Sequence, residues 1–120
     1  MDPDTQLLKG VLTLVILKLL GERESYGYQL ITDIRALGLE SLPDGTIYPA
    51  LNRLEREGLI ASRLVPSELG PARKYYRTTP AGHDVLQKRA KAWRHLVVAV
   101  DPLLGHDDEP PQPAQGSDRS

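Results

Sequence analysis

The spacing of apolar residues along this chain of 120 residues changes twice, and each change restricts the folds that it can adopt. As far as Gly58 the apolar residues recur every three or four positions, which is typical of amphipathic helices. From residue 60 to 79 they alternate with polar residues, which indicates strands. From residue 80 the helical spacing returns. The sequence therefore predicts helices, then an antiparallel hairpin, then one long helix.

The two segments before residue 40 each predict one helix. The first, TQLLKGVLTLVILKLLGE, contains no proline, is apolar nearly all round and is expected to end before Gly21. Such a helix lies at the centre of a core or is shared with a second subunit. The second is predicted between Ser25, whose hydroxyl suits an N-cap, and Gly38, which enters the left-handed backbone conformation without strain.

A third helix is predicted in GTIYPALNRLEREGLI, with Asp44 as its N-cap, Pro49 in about the first turn and Gly58 at its end. One side is apolar at helical spacing and comprises Ile47, Leu51, Leu54 and, past the end, Leu59. The other side is polar and comprises Thr46, Tyr48, Asn52, Arg53 and Arg56. We expect the apolar side to pack on the first two helices and the polar side to be exposed.

Two strands follow, IASRLV and RKYYRTT, joined by the loop PSELGPA. Tyr75 and Tyr76 are adjacent in the second strand, so their side chains point to opposite faces, and the pattern leaves open which one is buried. Thr79 and Pro80 predict the start of the last helix, because a hydroxyl N-cap followed by proline is a common helix beginning.

The last helix carries an apolar seam at alternating spacings of three and four, with Arg89 as its polar exception. The seam comprises Leu86, Trp93, Leu96, Val100 and Leu103. Because such a seam is typical of helix–helix association, we expect a homodimer with Trp93, Leu96 and Val100 at its interface. Pro102 is expected to end or bend the helix.

Charge is distributed unevenly, although the net charge is only −1. Residues 45–94 hold ten Lys and Arg against four Asp and Glu, whereas residues 1–44 hold four against seven and residues 105–120 hold one against four. A basic middle between acidic ends can place positive potential on one face, as nucleic-acid binding requires. An ordinary solvated helix surface explains the same charges, and charge alone does not decide between the two.

Three helices followed by a hairpin is the order of a winged helix-turn-helix, whose third helix enters the DNA major groove while the hairpin flanks the duplex. Asn can pair with adenine, Arg with guanine, and hydroxyl groups with phosphate. We therefore expect contacts with a double-stranded DNA operator from Thr46, Tyr48, Asn52, Arg53, Arg56, Arg73 and Lys74. In the hairpin, Arg63 and Arg77 also suit phosphate contacts.

The predicted fold class is mainly α with a β-hairpin. Residues 1–79 are expected to form the winged helix-turn-helix DNA-binding domain and residues 80–104 the long C-terminal dimerisation helix. Residues 105–120 form an acidic, Pro-rich tail without a large apolar residue, and we expect this tail to be disordered.

Four segments closely resemble the PadR family of bacterial transcriptional regulators, over roughly residues 6–104: LLKGVLTLVILKLL, SYGYQL, DGTIYPALNRLEREGLI and GPARKYYRTTPAG. The resemblance implies a homodimer that represses transcription, is often released from its operator by a small molecule, and belongs to the shorter subfamily with one C-terminal helix. Thr78 departs from the family pattern, which has an apolar residue there, and is expected to weaken the inner face of the hairpin slightly.

Other classes of function find little support in the residues. Cysteine is absent, which excludes disulfides and thiolate sites and fits a reducing cytoplasm. The three histidines do not cluster, and the motifs of nucleophilic, phosphate-binding and zinc enzymes are missing, so we expect no enzyme, metal or cofactor. The acidic N-terminus does not suit a signal peptide, and the apolar stretch 11–20 is too short to span a bilayer. We expect a cytoplasmic protein without a membrane partner.

Two alternatives stay open. A winged helix can serve as a protein-interaction adaptor without specific DNA binding, although such versions tend to carry apolar or acidic residues where this chain has Asn52, Arg53 and Arg56. Trp93 can simply pack in the helix seam, or two Trp93 side chains across a dimer axis can hold a small aromatic effector between them.

Overall fold

The computed structural model describes residues 3–40 and 42–105, with side chains from Leu7 onward. Within these ranges the elements follow in the order α1 Pro3–Glu22, β1 Ser25–Tyr26, α2 Gly27–Ala36, α3 Asp44–Arg56, β2 Ile60–Ser67, β3 Gly70–Thr78 and α4 Pro80–Leu104. Three helices, a hairpin and a long helix were predicted in this order. The predicted tail lies, from residue 106 onward, outside the described residues.

The chain divides at Ala90 into two compact units. The first contains α1, α2, α3, the sheet and the first turns of α4. The second begins at Lys91, and its described part is the remainder of α4.

The core of the first unit lies where α1, α2 and α3 meet under the sheet. In α1, Ile16 and Leu17 are adjacent and both fully buried, so this helix is covered over a wide arc, as expected of a central helix. α2 contributes Leu30 and Ile34 at helical spacing. The predicted apolar stripe of α3 is buried as expected and comprises Ile47, Leu51 and Leu54, with Leu59 half-buried beyond the helix.

The sheet has three antiparallel strands in the order β1-β3-β2. We call the β2–β3 hairpin the wing. Its strands are longer than predicted. The backbone pairing of β2 with β3 is irregular between Val65 and Ser67 but continues as far as Ser67, which lies opposite Gly70. Only Glu68 and Leu69 are left to form the turn, so most of the predicted loop PSELGPA belongs to the strands.

Tyr76 is the buried member of the tyrosine pair, and Tyr75 is half-buried on the other face of the strand. Thr78 is buried too, and its hydroxyl donates to the carbonyl oxygen of Leu17 over 2.8 Å. This hydroxyl is therefore satisfied within the core, and its cost at that position is small.

The predicted N-caps of α2 and α3 are wrong. Ser25 is buried in β1, where it lies opposite Tyr76, and the N-cap of α2 is Tyr26, whose side chain makes no capping bond. Asp44 is the first helical residue of α3, and its carboxylate accepts a hydrogen bond of 2.7 Å from Arg35 instead of capping the helix.

Three further helix positions differ from the prediction by about one turn or less. Since α3 begins at Asp44, Pro49 lies in its second turn, where proline removes the bond that an N–H would make to the carbonyl of Gly45. α1 continues through Gly21 to Glu22. α4 includes Pro102 and ends two residues later, at Leu104.

The predicted glycine stops after α2 and α3 are confirmed. Gly38 follows α2 with φ of 97°, and Gly58 follows α3 with φ of 78°. At the second of these, Leu59 donates its N–H to Leu54 over 2.9 Å and Gly58 donates to Glu55 over 3.0 Å. These two bonds satisfy carbonyl groups that the end of α3 would otherwise leave without partners.

The predicted start of α4 is confirmed as well. The N–H of Gly82 donates to the Thr79 hydroxyl oxygen over 3.0 Å, and this hydroxyl donates to the carbonyl of Gly58 over 2.7 Å. The N–H of Thr79 itself donates to the carbonyl of Leu59 over 3.0 Å. One residue therefore caps α4 and joins it to the residues that follow α3.

Candidate nucleic-acid interface

The polar face of α3 is available to a partner. Tyr48, Asn52 and Arg56 are exposed on it, and Thr46 is half-buried at its beginning. These positions lie opposite the buried stripe of the same helix, since the spacing that brings Ile47 and Leu51 into the core turns their neighbours outward. α3 therefore presents hydroxyl, amide and guanidinium groups together.

Arg53 is less free than Arg56. Its guanidinium donates to the hydroxyl of Thr13 in α1 over 3.2 Å and lies 3.7 Å from the carboxylate of Glu57. Arg56 is exposed and makes no ion pair with any residue that the structure describes. Of the two arginines, Arg56 can thus bind a partner without breaking an existing contact.

A groove between α1 and α3 collects part of the predicted site. This α1–α3 groove has a volume of about 440 Å³ and is lined by Lys9, Leu12, Gly45, Thr46, Pro49, Ala50, Arg53 and Arg56. The lining contains three cations and no carboxylate. Lys9 was not singled out in the sequence, because nothing in the spacing of α1 indicates that its end lies beside α3.

A second depression lies on the wing side of α3. This tyrosine cavity has a volume of about 500 Å³ and is lined by Tyr26, Gly27, Tyr28, Tyr48, Arg73, Lys74 and Tyr76. The structure thus brings Tyr48 of α3 together with Arg73 and Lys74 of β3, as a shared DNA-binding surface requires. Tyr28 and Gly27 belong to the start of α2, for which the sequence analysis favoured no surface role.

Arg73 and Lys74 reach this cavity from opposite faces of β3. The guanidinium of Arg73 lies 4.5 Å from the ring centroid of Tyr26, and the Nζ of Lys74 lies 5.4 Å from that of Tyr76. Lys74 also forms an ion pair of 3.1 Å with Glu55 of α3. This ion pair connects the wing to α3, on the face of β3 that lies against that helix.

Glu55 is a residue that the sequence analysis did not place in the site. Its carboxylate accepts hydrogen bonds from the hydroxyl of Ser62 and from Lys74, and these two bonds lower the pKa of Glu55. The same contact raises the pKa of Lys74, so the lysine is fully charged at neutral pH. Glu55 lies three residues after Asn52, and nothing in the sequence indicates that its side chain faces β3.

Arg63, which the sequence suggested as a phosphate contact, is engaged elsewhere. Its guanidinium donates two bonds of 2.7 Å to the two oxygens of Glu24, and these bonds lower the pKa of that carboxyl group. Glu24 precedes β1, so the pair joins the outer strand of the wing to the segment after α1. The charge of Arg63 is largely compensated within the protein.

The residues predicted at a dimer interface lie in the second unit. Trp93, Leu96 and Val100 are 47%, 56% and 42% exposed in the single chain. Leu86, which the sequence assigned to the same seam, instead packs against the core of the first unit. The exposed part of the apolar stripe on α4 therefore begins at Trp93.

Two other kinds of site have no candidate in the part of the chain that is described. No group of three or more His, Asp or Glu residues there could hold a metal ion. None of the described helices combines the length and the hydropathy that crossing a membrane would require.

Comparison with known proteins decides the family. The profile of the transcriptional regulator PadR-like family matches residues 16–88. The chain belongs to the PadR family. PadR proteins are transcriptional regulators, so this chain is a regulator of transcription and not an enzyme.

Two solved structures confirm the fold class, and one further relative is similar in sequence. A PadR-like transcriptional regulator from Bacillus cereus is 39% identical, with a TM-score of 0.76 over 85% of this chain and 99% of its own. A Streptococcus transcriptional regulator is 37% identical, with a TM-score of 0.75 over 84% of this chain and 99% of its own. Transcriptional regulator Rv3488 of Mycobacterium tuberculosis is 37% identical over 94 residues, which are 77% of this chain and 84% of that protein. The winged helix with a long C-terminal helix is thus the fold of this PadR protein.

Proposed function

We propose that this PadR protein is a sequence-specific DNA-binding repressor that acts as a homodimer. The observation that carries the proposal is the exposed polar face of α3 between two depressions, the α1–α3 groove and the tyrosine cavity, whose linings contain five cations and no carboxylate. DNA offers phosphates on both sides of a groove and base edges between them. A helix that binds in such a groove needs cations on its flanks, for the phosphates, and amide or guanidinium groups on its outer face, for the base edges.

Within this proposal the residues take different roles. Asn52 and Arg56 reach base edges, because an amide pairs with adenine and a guanidinium with guanine. Lys9, Arg73 and Lys74 bind phosphates on the two flanks of α3. Thr46 and Arg53 lie inside the α1–α3 groove and contact the backbone of the duplex there.

Binding of the purified protein to the promoter region of its own gene tests DNA recognition. We expect a mobility shift that weakens strongly between about 50 and 200 mM salt, since each phosphate contact releases counterions. Replacement of Arg73 and Lys74 by Ala should weaken binding to every duplex alike and reduce the salt dependence. Arg23→Ala is the matched control, because Arg23 pairs with Asp33 away from both depressions.

Two results would count against this function. Absence of binding to any duplex at low salt would favour the alternative of a protein-interaction adaptor. A loss of affinity in the Arg73 and Lys74 variant on a single operator only would make these residues base readers rather than phosphate contacts.

The dimer and the effector complete the proposal. The apolar stripe of α4 from Trp93 to Leu103 is exposed in the single chain, and a second copy of the same helix offers a matching surface. Two indole rings meeting across the axis would leave flat apolar faces between which a small aromatic molecule can stack. Such a molecule would change the arrangement of the two subunits and release the operator.

A further inference from the structure

The tyrosine cavity is an unusual surface in this protein. The whole chain has 16 acidic residues against 15 basic ones, yet the lining of the cavity combines two cations with four tyrosines and contains no acidic residue. A cavity of this composition attracts an anion and offers it hydroxyl donors and aromatic walls. Its position between α3 and the wing is where a DNA strand would pass if the proposed function is correct.

The cations of the cavity are held in place on aromatic rings. Arg73 lies over Tyr26 and Lys74 over Tyr76, at 4.5 and 5.4 Å from the ring centroids. A cation on a ring face keeps N–H groups at its edge free for an anion while the ring and, for Lys74, the Glu55 carboxylate restrict its position. Both charges are therefore fixed before a ligand arrives, which reduces the entropy that binding must cost.

The ring of Tyr48 lies close to Gly27, at the start of α2. A Cβ atom on Gly27 would lie 3.0 Å from Cε1 of Tyr48 and 3.1 Å from its hydroxyl oxygen. A side chain at this position would require the ring of Tyr48 to move by a few tenths of an ångström. The hydroxyl of Tyr48 lies at the edge of the cavity, next to Tyr28, which is 70% exposed.

We propose that the tyrosine cavity binds one backbone phosphate of the DNA, and that Tyr48 is an anchor for this phosphate rather than a reader of bases. The inference rests on the proposed function and specifies one contact within it. The phosphate accepts hydrogen bonds from the hydroxyl of Tyr48 and from Lys74 and Arg73. The cavity is larger than one phosphate, so the neighbouring deoxyribose lies against the tyrosine rings.

The Tyr48→Phe variant tests the role of the hydroxyl. We expect its affinity to fall about tenfold, as for the loss of one hydrogen bond to a charged group, and to fall equally on operator and unrelated duplexes of the same length. Its salt dependence should match that of the wild type, because no charge is removed, whereas Lys74→Gln should reduce the slope by about one. Tyr75→Phe is the control, since Tyr75 packs on Tyr26 and does not line the cavity.

A backbone scan identifies the phosphate itself. Single uncharged methylphosphonates are placed in turn along the operator, and each duplex is bound by wild type and by Tyr48→Phe. At one position per half-site the wild type should lose affinity while Tyr48→Phe loses much less, because the same contact is already missing. Additive losses at every position would overturn the proposal, as would wild-type affinity of Tyr48→Phe or a loss confined to the operator.

Gly27→Ala provides an independent test that removes no hydrogen-bonding group. The added methyl group moves the ring of Tyr48 by a few tenths of an ångström, so DNA affinity should fall, by less than for Tyr48→Phe, while the circular dichroism spectrum stays native. Gly10→Ala, with nothing within 4 Å of the added carbon, is the control for a methyl group on a helix. If the wild type binds no duplex at low salt, the proposed function fails together with the inference. If the wild type binds DNA, and Tyr48→Phe and Gly27→Ala bind it as tightly as the wild type does, only the inference fails.

Discussion

Gly82 in the first turn of α4 lies so close to Leu59 that a methyl group in its place would overlap the carbonyl oxygen of that residue. The same methyl group would lie 2.7 Å from the Cγ2 atom of Thr78. Leu59 follows the C-terminal glycine of α3, so a residue without a side chain is what allows α4 to begin against the end of α3. The neighbour is backbone, which cannot turn aside as a flexible side chain would.

Gly82→Ala should therefore destabilise the protein by about 1–3 kcal/mol, because the first turn of α4 must shift to remove the overlap. Thermal unfolding followed by circular dichroism measures the effect. Gly10→Ala in α1 is the matched control and should be stabilising by about 0.5–1 kcal/mol, since alanine is the better helix former and nothing lies near the added carbon. Equal melting temperatures for wild type and Gly82→Ala would contradict the close contact.

Thr79 provides a second test of the same junction. Thr79→Val keeps the shape of the side chain but removes the bonds to Gly82 and Gly58, and we expect a loss of stability of about 1–2 kcal/mol. Thr79→Ser keeps the hydroxyl and should lose much less. A valine variant as stable as the serine variant would show that the cap contributes little, and urea unfolding at constant pH distinguishes the two outcomes.

The Glu24–Arg63 pair predicts a pH dependence. Arg63 lowers the pKa of Glu24 in the folded protein below its ordinary value of 4.5. The stabilisation is therefore fully present above the pKa of the unfolded chain and is lost as the pH falls through the lower, folded value. Glu24→Gln should melt below wild type at pH 7, and the two melting temperatures should converge as the pH falls through the lowered pKa of Glu24. Glu22→Gln, which affects only an exposed pair with Lys18, is the control. A difference that stays constant over the whole pH range would contradict the assignment.

The apolar stripe of α4 predicts how the proposed dimer can be disrupted. Leu96→Asp combined with Val100→Asp should give a monomer in sedimentation experiments, because two carboxylates per chain would be buried in the helix seam. Val98→Asp is the control, since Val98 is 74% exposed and lies on the other side of the helix from Leu96 and Val100. If the double variant still sediments as a dimer, the interface lies elsewhere, with α1 as the next candidate.

Trp93 predicts a fluorescence response to the proposed effector. As the single tryptophan, it should be quenched or shifted when planar aromatic compounds enter a pocket between two subunits. Trp93→Leu should keep the dimer, since leucine suits the seam, but lose binding of the compound in calorimetry. Unchanged fluorescence with a varied panel of such compounds would show that Trp93 only packs in the helix seam.

Features that depend on local sequence were predictable. Gly38, Gly58 and the Thr79-Pro80 pair end or begin helices through contacts with residues close to them in the chain, and all of them function as predicted. The buried stripe of α3 follows from its spacing for the same reason. The order of the elements could therefore be derived without coordinates.

Features that depend on distant partners were not predictable. Ser25 looked like an N-cap because a two-residue strand has no periodicity and exists only by pairing with β3, fifty residues later. Glu55 and Glu24 could not be assigned to Lys74 and Arg63 from spacing, so these two ion pairs were not visible in the sequence. The same holds for Tyr48, whose place beside Gly27 results from the packing of α3 on α2.

The distribution of aromatic side chains has a practical consequence. Four of the five tyrosines line the cavity beside α3, and the fifth packs on one of them, whereas the single tryptophan lies on the exposed stripe of α4. Tryptophan can be excited selectively at wavelengths that tyrosine does not absorb, tyrosine emits at shorter wavelength than tryptophan, and phenylalanine is absent. The protein thus contains two intrinsic optical reporters, one beside α3 and one on the C-terminal part of α4, so that events at the two surfaces can be timed against each other without an attached dye.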